Sequence, residues 1–482
     1  MDWTAVALAD LRLSLKVASS AYVRFTEHPE IRADRDLLRE LSVERGRDAD
    51  SIDRATVSAD LELADPMLDE RSAAKMLGLS RSNPTSPATI AFQVQRSENR
   101  LASVASQLGT VTEHPALRTV LGMVHQHIED RREDVRAMRR AARFERPDAL
   151  RTFSASMPQI EGNELMVWFG TNRALDGKGK FIGARGDEVR YGQCKVFVPT
   201  DREIGSLGSG WLRRLIRGDD RVKLTGTIHL SSADFWSGIA REFSSIEPPD
   251  RHALVFLHGY CVKFDDAARR TAQLKADLGF RGLTAFFSWP SLGAELGYTG
   301  DVAAIQASES AIREFLVNFA VQSGAGAVHI IAHSMGNQGL LRAMDAIARD
   351  AAAVSRVRFG QIILAAPDVD RELFADLASA YVALAQRSTL YISENDFPIG
   401  MSAWLHRYDR VGRAPPVTIV PGIDTVNVSK VNLGMFAHSY VAEMRPILGD
   451  IHQLLNGNTP PEKRFGLLEA GGPNARHWVF AA

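Results

Sequence analysis

A serine hydroxyl is a weak nucleophile near neutral pH, so a serine that does chemistry is known by its neighbours. Residues 332–336 read Ala-His-Ser-Met-Gly, directly after the apolar run AVHII and before a helical stretch starting near Asn337. A strand that bends sharply into a helix at a serine needs small residues two before and two after it. Gly336 meets that need fully, and Ala332 meets it at some steric cost. Such a bend is expected to lift Ser334 Oγ into solvent at a sheet edge and to point the Met335 N–H at a bound substrate. The serine then needs a base, and the base needs a carboxylate to orient it. Asp396 closes the run TLYISEND, and His438 follows the last strand-like run. The chain order Ser334, Asp396, His438 is the one in which a sheet of this kind delivers the three to one rim. The chemistry expected is attack on an ester-type carbonyl through a covalent serine intermediate.

Other residues compete for each role. Asp368 and Asp370, in Ala-Pro-Asp-Val-Asp, are the main rivals to Asp396 as the acid, with Asp424 and Glu394 behind them. A tetrahedral oxyanion needs preorganised donors. The Met335 N–H is one, and the backbone N–H of Tyr260, after ALVFLHG, is best placed to be the second. Trp289 and Ser291 close the next strand and are expected to line the substrate pocket, although the bulk of Trp289 suits a core equally well. His333 is expected to pack away from the serine, His258 to make structural hydrogen bonds, and His406 to sit on a short helix. Cys261 has no evident base or cation beside it and reads as a spectator thiol.

The elements that must position these residues alternate from residue 253 onward. Strands are expected at 253–259, 282–290, 327–334, 361–368, 389–396 and 417–422, with helices at about 265–278, 302–322, 337–350 and 371–386. Continuous apolar strands with helices between them imply an α/β fold, a mostly parallel, doubly wound sheet covered on both faces. Ligands then bind at the carboxyl ends of the strands. Runs at 164–173, 193–199 and 222–230 are also β-rich, and the Gly-rich basic segment 176–187 between them reads as a hairpin or surface loop. It lacks the Gly-Lys-Ser/Thr ending of a phosphate-binding loop.

Residues 1–150 read as a separate helical domain. Leu8, Leu11, Leu15, Ala18, Tyr22 and Phe25 recur at spacings of three and four, one face of a helix, with a break expected after Thr26. Residues 117–146 read as a further helix whose mixed charges suit a solvated face. Residues 72–83, SAAKMLGLSRSN, loosely resemble the start of a helix-turn-helix, but Pro84 and Pro87 would fall inside the recognition helix and break it. The domains expected are therefore helical 1–150, a sheet domain 160–456 with a β-rich lead-in over 160–250, and a C-terminal tail 457–482.

Composition narrows the function. Lys and Arg number 57 against 58 Asp and Glu, a formal charge of −1, so no overall field favours nucleic acid. Two cysteines, Cys194 and Cys261, make neither a disulfide framework nor a zinc site, and a reducing, cytoplasmic setting fits best. No apolar run spans a bilayer, and Asp2, Asp10, Arg12 and Lys16 interrupt any signal-peptide core. Neither metal nor cofactor is expected. The expected partner is a small-molecule or lipid ester, and the N-terminal helices offer a surface for a protein partner or self-association.

The motifs FLHGY (256–260), FSWPS (287–291), AHSMGN (332–337), AAPDVD (365–370), SENDFP (393–398) and AHSY (437–440), with TNR (171–173) and YGQC (191–194) before them, carry a family resemblance. At about residues 160–455 the chain resembles the α/β-hydrolase superfamily, and within it a bacterial branch of serine hydrolases. The resemblance implies a Ser-His-Asp hydrolase acting on an ester-like bond, as a carboxylesterase or lipase does. Cys261 departs from the pattern, in which Asn would follow His-Gly-Tyr. A reading of a different class treats the helical domain as an interaction or sensor module, with the hydrolase as its effector or as an inactive scaffold. Acyl transfer to an alcohol would use the same residues.

Overall fold

The computed structural model describes the chain apart from residues 1–2, 32, 67, 80–85, 113, 145–160, 201, 203, 208–220, 294–297, 395–407, 430–443, 473–474 and 481–482. It divides into two compact units, one of helices and one built around a sheet.

The helical unit contains α1 (Trp3–Thr26), α2 (Arg35–Ser58), α3 (Glu70–Leu77), α4 (Pro87–Val111), α5 (Pro115–Asp130) and α6 (Arg132–Phe144). All six residues of the expected apolar face of α1, from Leu8 to Phe25, are buried, and the helix stops at Thr26. Pro87 does not interrupt a helix but opens one. Ser86 caps α4 by accepting a hydrogen bond from the Thr89 N–H at 3.3 Å, and Pro87 fills the first helical position, where no N–H is required. The helix expected over 117–146 is two helices that meet at Arg131, whose guanidinium turns back to Glu44 of α2 at 2.6 and 2.9 Å. A polar cluster lies inside this unit. The Tyr22 hydroxyl donates to Glu98 at 2.8 Å and also meets Ser97. Arg45 is ion-paired with Asp48 and lies 3.4 Å from Glu98, and His127 bonds Asp48 at 2.8 Å.

The sheet unit opens with β1 (Gly162–Leu175), β2 (Phe181–Pro199) and β3 (Lys223–Leu230), an antiparallel meander. The β1–β2 turn is confined to Asp176–Lys180. Asp176 accepts the N–H groups of Lys178 and Lys180 at 2.8 and 2.9 Å, and Gly179 takes the left-handed φ of +75° that the turn requires. There follow α7 (Ser232–Ser245), β4 (His252–Leu257), α8 (Phe264–Asp277), β5 (Leu283–Ser288), α9 (Tyr298–Gln306), α10 (Glu309–Gln322), β6 (Ala327–His333), α11 (Gly336–Ala348), β7 (Phe359–Ala365), α12 (Arg371–Leu377), α13 (Ser379–Leu384), β8 (Ala385–Ile392), β9 (Ile423–Asn427) and α14 (Arg445–Gly457). The chain ends with β10 (Leu467–Ala470) and β11 (His477–Phe480).

The strand order is β10-β11-β9-β8-β7-β6-β4-β5-β1-β2-β3, parallel from β11 to β1 and antiparallel at both margins. The expected mostly parallel sheet is therefore present, with two corrections. Residues 417–422 are not a strand. Pro421 and Gly422 (φ +83°) form a turn, closed by the Ile423 N–H to the Val420 carbonyl at 3.1 Å, and the strand is β9 just beyond it. Residues 457–482 are not merely a tail. The Trp478 and Phe480 side chains are buried in the sheet core, and β10 and β11 extend the sheet beyond β9.

The chain runs from β4 to β5 on one side and then crosses back to β6 on the other side of β4. The connections leaving β4 and β6 thus diverge, which opens a crevice at their carboxyl ends. Ser334 follows β6 at this point.

Candidate active site

The turn after β6 forces Ser334 into the left-handed region, φ +51°, and Met335 and Gly336 then begin α11. A side chain rarely tolerates that conformation unless its surroundings hold it. Here the Ser334 N–H donates to the Ala365 carbonyl at 2.9 Å, and the Ser334 carbonyl accepts from the Asn337 N–H at 3.0 Å and the Asp368 N–H at 3.3 Å. The Asn337 amide adds donors to the carbonyls of Ala332, Ser334 and Ala365 at 3.0–3.3 Å. Asn337 was legible only as a motif member. Its place in the first turn of the helix is what lets its side chain reach back across the bend.

Gly336 is required by close approach, since a Cβ there would lie 2.5 Å from the His258 carbonyl oxygen. Gly259 presses on the other side, where a Cβ would come within 2.8 Å of Ser334 Cβ. The consequence corrects one expectation. Ser334 is only 2% exposed, covered by the loop after β4 rather than standing in open solvent.

Left-handed residues other than glycine number five among the described residues. Asp60 and Asn458 end helices, an ordinary place for them. The other three, Cys261 (φ +58°), Ser334 and Ala366 (φ +47°), follow β4, β6 and β7 at one edge of the sheet. Backbone strain thus gathers around the crevice.

Beside it lies a buried network whose central residue, Arg173, pattern reading did not anticipate. Arg173, near the end of β1, donates Nε–H to Ser288 Oγ at 2.8 Å, one terminal N–H to the Ser291 carbonyl at 2.8 Å and another to the Val262 carbonyl at 2.8 Å. Burial lowers its pKa to about 10, against the nearby charge of Asp301, so it stays cationic at neutral pH. Ser288 Oγ lies 3.1 Å from His258 Nε2, and His258 Nδ1 lies 2.9 Å from the Gly259 carbonyl. These partners fix the tautomer: Nδ1–H donates to the carbonyl and Nε2 accepts from the serine hydroxyl. Burial, with the Arg173 charge second, lowers the His258 pKa to about 3, so the ring is neutral and structural, as expected. Arg173, which holds this network together, was legible in the sequence only as a member of the TNR motif.

The expected pocket residues have other uses. Trp289 is fully buried, stacks on the His258 ring at 4.9 Å and donates to the His258 carbonyl at 2.8 Å. Ser291 is also buried, and its hydroxyl donates to Asp301 at 2.5 Å while accepting the Val262 N–H at 3.1 Å. Both bind the loop that follows β4, Trp289 at His258 and Ser291 at Val262.

The rival acids are engaged as well. Asp368 accepts from the Tyr298 hydroxyl at 2.7 Å, and its other oxygen lies 3.4 Å from Arg410. Asp370 caps α12 by accepting the Leu373 N–H at 2.9 Å. Asp424 is paired with Arg387 at 2.8 Å and Arg464 at 3.3 Å. Glu394 is exposed, and its amide donates to Ser429 at 2.8 Å. Tyr260 is half-buried, its ring 5.4 Å from that of Tyr298, and Met335 is buried. Asp396, His438 and His406 lie outside the described residues. Among the described residues no cluster of His, Cys, Asp and Glu is arranged to hold a metal ion, and no helix is long and apolar enough to cross a membrane.

No curated protein matches the sequence. Residues 239–456 match a family model described as "Alpha/beta hydrolase of unknown function (DUF900)". That stretch contains β4 to β9, the left-handed Ser334 and the crevice, and it is an alpha/beta-hydrolase domain.

Proposed function

We propose that the sheet unit is a serine hydrolase that cleaves carboxylic esters through an acyl-enzyme. The observation that carries this reading is the left-handed Ser334 at a strand-to-helix bend, at the carboxyl ends of β4 and β6 where the strand order diverges. Ser334 Oγ attacks the ester carbonyl as His438 takes its proton, and Asp396 holds the His438 ring in the tautomer that can accept it. The N–H groups of Tyr260 and Met335 stabilise the oxyanion. Collapse expels the alcohol, which leaves with the proton held by His438. Water then attacks the acyl-serine with His438 again as base, releasing the acid and restoring Ser334.

Asp396 is preferred as the acid because the described rivals already serve other partners: Asp368 with Tyr298 and Arg410, Asp370 with a helix cap, and Asp424 with two arginines. A fluorophosphonate probe tests the reading. The wild type is labelled on Ser334 and Ser334→Ala is not. Asp396→Asn lowers ester turnover by about 10⁴ through loss of the productive tautomer. Labelling that survives Ser334→Ala, or a wild type inert to probe and esters alike, overturns the proposal. A panel of esters of graded chain length then defines the acyl preference.

A further inference from the structure

The loop between β4 and α8 carries Tyr260, and its next residue is left-handed without being glycine. Among L-residues, Asn adopts this conformation most readily and Cys does not. Something must therefore hold Cys261 there, and two buried charged side chains do so from different elements. From α9, Asp301 accepts the Cys261 N–H at 3.1 Å and, through its other oxygen, the Leu292 N–H at 2.7 Å. From β1, Arg173 donates to the Val262 carbonyl. Ser291 joins the two charges, since its carbonyl accepts from Arg173 and its hydroxyl bridges the Val262 N–H and the Asp301 carboxylate. Asp301 and Ser291 are 0% exposed and Arg173 is 1% exposed, so bulk solvent does not reach these side chains.

We infer that Arg173, Ser291 and Asp301 are positioning residues that clamp the left-handed turn at Cys261 and thereby fix the direction of the Tyr260 N–H for the oxyanion. The inference rests on the reading of Ser334 as the nucleophile and Tyr260 as a donor. The Gly259–Tyr260 peptide is held on one side by His258, through the Gly259 carbonyl. The Tyr260–Cys261 peptide is held on the other by Asp301, through the Cys261 N–H. The Tyr260 N–H belongs to the first of these peptide planes, and with the second tied as well it cannot rotate when the carbonyl carbon becomes tetrahedral. A preorganised donor of this kind acts in the transition state and leaves ground-state binding almost unchanged.

Two readouts on the full chain test the clamp. Asp301→Asn places an NH₂ among three donors, and Ser291→Ala removes the bridge. Asp301→Asn lowers kcat by about 10² with KM little changed, and Ser291→Ala lowers it by a smaller factor. Adding Cys261→Asn to Ser291→Ala restores most of the lost kcat, because Asn favours the left-handed turn by itself. A residue that merely stabilised the fold would not be rescued by a backbone preference at residue 261. The second readout needs no substrate: amide exchange over residues 259–263 rises in Asp301→Asn and Ser291→Ala and falls again when Cys261→Asn is added. Unchanged exchange, or turnover that falls with no rescue, overturns the clamp while labelling of Ser334 still supports the hydrolase. A wild type inert to the probe overturns the hydrolase reading by itself, and the exchange result still decides whether the clamp exists.

Discussion

Two arginines, Arg45 in α2 and Arg173 at the end of β1, are both buried to within 1% of completeness, yet they are solvated in opposite ways. Arg45 is surrounded by carboxylates: Asp48, Glu98 and, at 3.3 Å, Glu44. Arg173 is surrounded by the carbonyls of Ile182, Val262 and Ser291 and the hydroxyl of Ser288. The first arrangement neutralises charge and joins helices through side chains. The second grips backbone, and backbone is what a strained loop needs held. A buried cation met by carboxylates marks a packing solution, whereas one met by carbonyls marks a segment whose course matters.

The largest expected effect breaks the helical side of this comparison. Arg45→Met leaves two buried carboxylates without their cation and destabilises the helical unit by about 3–5 kcal/mol. Burial, the leading cause, already raises the pKa of both Asp48 and Glu98 against the pull of Arg45. Without the arginine, both are neutralised more readily. Urea unfolding of the variant is therefore expected to recover much of the loss on going from pH 7 to 5. A deficit independent of pH would mean that Arg45 acts by packing and not by charge.

Arg173→Met should show the contrary profile. It strands the carbonyls of Ile182, Val262 and Ser291, to which acidification to pH 5 offers nothing. Ester turnover is expected to fall by about 10², the cost of a misplaced oxyanion donor. Retained turnover with a lowered melting temperature would make Arg173 a packing residue like Arg45 and dissolve the distinction.

These networks also explain what was legible in the sequence. Parallel strands announce themselves as continuous apolar runs, and the bend at Ser334 as small residues at fixed offsets, so the sheet and the elbow were readable. The strand at 423–427 was displaced because VTIVPG is as apolar as a strand, and only the turn at Gly422 disqualifies it. The terminal strands were missed because they are four residues each, too short for a period to show. Trp289 and Ser291 were given pocket roles from their place after β5, whereas their polar atoms turn inward. Arg173 to Val262, and Arg45 to Glu98, are bonds between residues far apart in the chain, and no local pattern encodes them.

A smaller effect concerns acid. His258 and His329 are both lowered to about 3 by burial, next to Arg173 and His252 respectively. A histidine depressed in the folded state contributes stability that is complete above its unfolded pKa, about 6.5, and is lost as pH falls toward 3. Glu98 and Asp48 are raised, so their contribution has the opposite sign, present at low pH and lost as pH rises through their folded values. From pH 6.5 to 4.5, peptide-resolved amide exchange, corrected for intrinsic rates, should show strands β4 to β7 losing protection before helices α2 and α4. The reverse order would mean that the helical carboxylates act chiefly as acceptors for Arg45.

The smallest effect lies at Cys261, and its sign matters more than its size. The left-handed conformation costs an ordinary L-residue about 1 kcal/mol or somewhat more, and Asn pays least of the side chains. With Arg173, Ser291 and Asp301 intact, that cost is carried by the clamp as stored strain. Cys261→Asn should therefore stabilise the sheet unit by up to about 1 kcal/mol, a rise of about 1–2 °C in its melting temperature. Scanning calorimetry of the full chain reads this directly. A fall in melting temperature would show that the thiol's own contacts outweigh the backbone preference, and the turn would then be held by side-chain packing at residue 261 rather than by its charged neighbours.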